Sequence, residues 1–133
     1  MSADSTNLAS EFYVLSVLHR LGANVALTLA NKKAVDIIVA CGAGHSVTID
    51  VKGSAGTTGW FVDNATVQPN HFVVFVTYLN KISNPSVVPE VYVVPSNDLP
   101  ALIQTARGGK KLIKLPVLRQ HIPPYCDNWQ AIL

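Results

Sequence analysis

His71-Phe72-Val73-Val74-Phe75-Val76-Thr77-Tyr78 constrains the fold more than any other stretch, because apolar residues fill both parities of a β-strand pattern. A strand that is apolar on both faces needs cover on both faces, which places it at the centre of a sheet. Glu90-Val91-Tyr92-Val93-Val94 is a shorter strand of the same kind. The surface turn between them, Asn80 to Pro89, holds Pro85 and Pro89. Strands of this type with flanking helices make an α/β sandwich.

A second strand pattern, Val47-Thr48-Ile49-Asp50-Val51-Lys52-Gly53-Ser54, carries an acid and a base two residues apart. Alternation puts Asp50 and Lys52 on one face and Ile49 and Val51 on the other. Val35-Asp36-Ile37-Ile38-Val39-Ala40 precedes it across the turn Cys41-Gly42-Ala43-Gly44-His45. Antiparallel pairing symmetric about Ala43 sets Asp36 opposite Asp50. Opposed β-carbons lie roughly 4.5–5.5 Å apart, so the two carboxylates repel unless a positive charge sits between them. Lys52 is one candidate for that charge, and a divalent cation on hard oxygen ligands is the other.

A third acid enters by helical spacing. From Asn7 to Leu21, the residues Leu8, Phe12, Val14, Leu15, Leu18 and Leu21 form an apolar stripe, and Gly22 is a natural C-cap. Glu11 falls inside the stripe, between the directions of Leu15 and Leu18. A carboxylate buried there needs a partner or a cation. Asn24-Val25-Ala26-Leu27-Thr28-Leu29 reads as a first strand, and Asn31-Lys32-Lys33 turns the chain into the Asp36 strand, giving a three-stranded meander.

Glu11 on a first helix, Asp36 on a second strand and Asp50-Val51-Lys52 on a third resemble, in order and spacing, the PD-(D/E)XK nuclease superfamily. The resemblance covers about the first half of the chain, and Val35 stands where the motif's proline would be. It implies a restriction-endonuclease-like α/β fold, a mixed five-stranded sheet flanked by helices. It also implies that Asp36, Asp50 and the Val51 carbonyl bind magnesium or manganese, that Lys52 orients or activates water, and that Glu11 completes the acidic cluster. The expected activity is metal-dependent hydrolysis of phosphodiester bonds in DNA. Stand-alone members of this size include Holliday-junction resolvases, which work as homodimers, so branched DNA is among the expected substrates. The alternative is a module that keeps the fold for nucleic-acid binding or assembly and has lost turnover.

A chain of 133 residues reads as one domain, residues 1–133, large enough to close a core without disulfides or structural metal. Hydrophobic residues make up 49% and charged residues 14%, which is apolar for a soluble chain, so part of the surface is expected to be covered by a second copy. No apolar run reaches the roughly 18–20 residues of a membrane span, and the start of the chain lacks a basic region followed by an apolar one, so a cytoplasmic protein is expected. Cys41 and Cys126 lack metal-site spacing and read as buried or incidental thiols. Net charge is +2, and setting aside three site acids and one lysine leaves +4 on the remainder, a basicity that allows phosphate contact.

Gly53-Ser54-Ala55-Gly56-Thr57-Thr58-Gly59 reads as a mobile loop flanking the site; no GK[ST] follows, so it is not a phosphate cradle. Ser54 and Gln68 are weaker candidates as substrate-binding accessories, and Trp60 for stacking on a base against a packing role. Pro95-Ser96-Asn97-Asp98 opens a helix expected to run through Leu99, Leu102, Ile103 and Ala106 to Gly108-Gly109. Lys110 to Pro116 reads as a charged turn, and Asn128 to Leu133 as a short helix that packs back. His19, His45, His71 and His121 show no metal-ligand spacing, and no nucleophile elbow supports a hydrolytic triad.

Overall fold

The computed structural model describes residues 2–28, 36–42 and 44–133. The chain runs α1 (Ala3–Arg20), β1 (Asn24–Leu27), β2 (Ile37–Gly42), β3 (His45–Ser54), β4 (Gly59–Phe61), β5 (His71–Thr77) and β6 (Glu90–Pro95). It continues through α2 (Leu99–Leu102), β7 (Gln104–Thr105), β8 (Lys111–Lys114) and α3 (Leu115–Gln120). Leu29, the Asn31–Lys33 turn, Val35 and the turn centre Ala43 lie outside the described residues.

A five-stranded sheet in the order β1-β2-β3-β5-β6 forms the centre. Only β3 and β5 pair in parallel, so the sheet is mixed, and helices flank it as expected. β5 sits inside, with Val73, Val74, Phe75 and Val76 all 0% exposed. Burial of that kind stabilises by roughly 1.5–3 kcal/mol per side chain. One face of the sheet packs Val47, Ile49, Val51, Val74 and Val93 against Val14 and Leu18 of α1 and against Ile132. The other packs Val73, Phe75 and Tyr92 against Trp60, Leu99, Ile113 and Leu118. That second layer contains a three-stranded sheet, β4-β8-β7.

The β2–β3 register keeps the expected centre, since Ile37 pairs with Ile49 and Ala40 with Ser46, both symmetric about position 43. The ladder stops there, one pair short of Asp36 and Asp50. The Asp36 amide bonds the Ile49 carbonyl instead, while its own carbonyl accepts from the Thr28 amide.

Several expectations need correction. Leu8 and Phe12 are each 52% exposed and Leu21 is 47% exposed, whereas α1 buries Thr6, Ser10, Val14 and Leu18. Small residues win the inward positions because the helix lies close to Gly53, where a larger side chain would collide. The Gly53–Gly59 stretch is no free loop. Gly53 and Ser54 continue β3, and Ala55, Gly56 and Thr58 accept bonds from the Asn80 amide, the Thr77 hydroxyl and the Leu115 amide. The helix after Asp98 ends at Leu102, because Gln104 and Thr105 turn extended to pair with β8. The expected Lys110–Pro116 turn contains β8 and the start of α3. Both cysteines are exposed; a register shift between Ala40 and Gly42 takes Cys41 off the buried parity, and Cys126 lies in the surface segment bridging to Tyr92.

Candidate active site

β3 outruns β2. From Thr48 to Ser54 it is paired with β5, but on its other side the ladder has ended at Ile49. Amide and carbonyl of one strand residue project to the same edge, and alternate residues to opposite edges. Thr48 and Ser54 bond toward β5, through the Asn70 carbonyl and the Tyr78 amide, so Val51 and Gly53 present their amides to the opposite edge, beyond the end of the β2 ladder. Both are taken by side chains. Asp36 Oδ2 accepts from the Val51 amide at 2.8 Å, and Asn7 Oδ1 accepts from the Gly53 amide at 3.1 Å. The Val51 carbonyl projects to this same edge.

The bond from Val51 fixes where the Asp36 carboxylate sits: beside the residue between Asp50 and Lys52. Glu11 is one helical turn beyond Asn7 on α1, partly buried, on the stripe that overhangs the same edge. Asp50 and Lys52 project to the opposite face of the sheet from α1, as alternation requires, and both are partly buried. The structure thus brings Asp36 against the Asp50-Val51-Lys52 segment and places Glu11 across the sheet edge from it. Among the described residues, Lys52 makes no ion pair with Asp50.

Asp50 instead faces His71. Its side chain is 13% exposed and that of His71 0%, and His71 Nε2 lies 3.4 Å from Asp50 Oδ2. His71 Nδ1 is 2.7 Å from the Thr48 hydroxyl. A hydroxyl donating to Nδ1 selects the tautomer with hydrogen on Nε2, which then points at the carboxylate. The distance is long for a hydrogen bond, and among the described residues the buried Nε2 has no other partner, so its direction toward Asp50 is set by packing and by Thr48. The sequence shows no metal-ligand spacing around His71, and nothing local in it signals this contact with Asp50. Its signal lay in the β3–β5 register, which pairs Thr48 with His71 across a parallel crossover.

The three weaker candidates separate. Ser54 closes β3 on the Lys52 face, but its hydroxyl is engaged in the local turn with Gly56. Gln68 lies in the segment entering β5, at the Thr48 end of β3; its amide nitrogen donates to the Thr66 hydroxyl. Trp60 is 4% exposed, its indole N–H donates to the Val76 carbonyl at 3.1 Å, and its ring packs on Phe75 and Tyr92. It is a core residue, and base stacking by Trp60 is ruled out because its faces are already covered.

Among the described residues, no group of three or more His, Cys, Asp or Glu side chains gathers as a metal site. Magnesium requires fewer, since one or two carboxylates with water complete its shell. Asp36, Asp50 and the Val51 carbonyl offer oxygen donors of the kind a hard divalent cation takes, and the bond from the Val51 amide holds the first of them at this strand.

No family model matches the chain, and no curated protein matches it. Among solved structures, the fold is similar to that of a bacterial homing endonuclease, I-Ssp6803I. The two share 17% sequence identity at a TM-score of 0.61, over 100% of this chain and 94% of that one. The likeness is one of fold: a mixed five-stranded sheet flanked by helices.

Proposed function

We propose that this chain is a metal-dependent endonuclease of the PD-(D/E)XK type that hydrolyses phosphodiester bonds in DNA. The observation that carries the reading is the bond from the Val51 amide to Asp36, which clamps one acid beside the strand that bears Asp50 and Lys52. The fold shared with a homing endonuclease supports it. Asp36, Asp50 and the Val51 carbonyl would hold magnesium or manganese, with Glu11 adjoining. Such an ion supplies polarisation of the phosphate and a lowered pKa for bound water. His71 Nε2, 3.4 Å from Asp50 Oδ2, would bias the direction of that carboxylate. Lys52 lines an open groove with Asn7, Ser54 and Phe61, where its ammonium can orient the attacking water or offset charge on the phosphate. A homodimer belongs to this reading, supported by a mean hydropathy of +0.30 and by the exposed Leu8 and Phe12 on α1.

The test joins cleavage to metal-linked stability. Wild type should cut DNA with magnesium or manganese and not with chelator, and Lys52→Ala should lose cutting while keeping its fold. Manganese at a hundredfold excess over Kd should stabilise wild type by roughly 2.7 kcal/mol, and Asp36→Asn or Asp50→Asn clearly less. Equal metal-induced melting shifts in all three proteins, or no shift in any, would remove the basis of the proposed site.

A further inference from the structure

The segment from Leu99 to Cys126 contains Arg107, Lys110, Lys111, Lys114 and Arg119 and no acidic residue. Charge of one sign concentrated in one stretch is a property of a surface, so the question is where the fold puts it. Arg119 is occupied by Glu90, with its Nη2 at 2.9 Å from the carboxylate. Among the described residues, Arg107, Lys110, Lys111 and Lys114 form no ion pair; of these, Lys110 precedes β8 and Lys114 ends it.

The small sheet decides their direction. Trp60 pairs with Ile113, and both point into the core at 4% and 0% exposure. Their neighbours on each strand therefore point outward: Gly59 opposite Lys114 and Phe61 opposite Leu112, with Gln104 beyond. Phe61 is 58% exposed, and the Lys110 ammonium sits 5.2 Å from its ring centroid. An exposed aromatic ring flanked by two lysines on a flat sheet face suits a ligand with both negative charge and apolar planes. The face is also continuous with the candidate active site, because Phe61 and Lys52 line one groove.

We propose that the outward face of the β4-β8-β7 sheet docks duplex DNA, with Lys110 and Lys114 on phosphates and Phe61 against a sugar or base edge, leading a strand along the groove to Lys52. The choice of DNA over other polyanions rests on the nuclease reading above.

Binding is to be measured by fluorescence anisotropy of a labelled duplex in chelator, across a salt series, for wild type, Lys110→Ala/Lys114→Ala, Phe61→Ala and Lys81→Ala. Lys81 is an exposed control on the β5–β6 connection, outside this face. The double variant should bind roughly tenfold or more weakly, with the slope of log K on log salt reduced by about 2, since each lost phosphate contact removes about 0.9. Phe61→Ala should weaken binding with the slope unchanged, and Lys81→Ala should change neither by a comparable amount. The proposal is overturned if wild type shows no salt-dependent binding, if the double variant matches wild type or Lys81→Ala, or if single-stranded RNA of equal length binds more tightly. DNA bound through this face but never cut with metal would sink the nuclease reading and leave the docking surface standing.

Discussion

Alanine at Gly53 should push α1 off the sheet. A β-carbon built there would lie 2.3 Å from Ser10 Oγ, 3.0 Å from Ser10 Cβ and 3.0 Å from the Thr6 carbonyl oxygen. Ordinary contacts start near 3.4 Å, so Ser10 Oγ is about 1 Å too close and the other two are short by a few tenths of an ångström, and those two are fixed atoms of the helix. Ser10 cannot simply swing aside, since it is 0% exposed and its hydroxyl bonds the Thr6 carbonyl at 2.7 Å. Overpacking of this sort costs about 1–3 kcal/mol. For a chain of this size that lowers the melting temperature by roughly 4–12 °C. Ser10→Gly removes both the oxygen and the β-carbon. It costs about 0.5 kcal/mol of helix propensity on its own but should return about 1 kcal/mol or more when Gly53 is alanine. DNA cleavage should follow the same cycle, because α1 also carries Glu11. The assay is thermal melting of wild type, both single variants and the double variant. Wild-type stability in Gly53→Ala, or strictly additive effects of the two substitutions, would refute the close-packing account.

His71→Leu should lower DNA cleavage by about 10–100-fold while leaving the protein folded, since Nε2 contributes direction to Asp50 without a satisfied bond of its own; recovery in His71→Gln, which restores an N–H, separates positioning from packing, and wild-type cleavage in His71→Leu would refute it. Arg119 hydrogen-bonds Glu90 and, offset only in part by burial, holds its carboxyl below the usual range, with the Tyr92 hydroxyl assisting. A lowered folded pKa contributes stability above the unfolded value and loses it as pH falls through the folded one. Arg119→Ala should therefore destabilise at pH 7, by no more than about 1 kcal/mol for a solvent-screened pair, and melt with wild type once Glu90 is protonated in both. An undiminished difference at acid pH would contradict this.

The strand pairing around the site was legible because two local rules act there: period-two alternation sorted Asp50 and Lys52 from Ile49 and Val51, and a glycine-flanked turn set the β2–β3 register. The helix face was misread for a physical reason. A hydrophobic stripe weighs Leu8 and Phe12 above Thr6 and Ser10, but close approach of a helix to a strand selects small side chains, and Gly53 announces that only once its partner is known. His71 and Asn7 were missed because each acts on a residue distant in sequence, Asp50 and Gly53, through pairings no local pattern specifies. The second sheet escaped because β4, β7 and β8 are too short, and β7 and β8 too exposed, to show a period.

The open half of β3 has a bearing on self-association. A strand edge with bare amides recruits strands from other molecules. Here Asp36 and Asn7 stopper the two amides that β2 leaves behind. The carboxylate proposed to bind metal is therefore also a guard against strand addition. Alanine at position 36 strips that guard, whereas alanine at position 50, whose side chain lies on the face of the sheet, leaves both amides covered. Two substitutions at the proposed site should thus differ in how safely the protein can be concentrated.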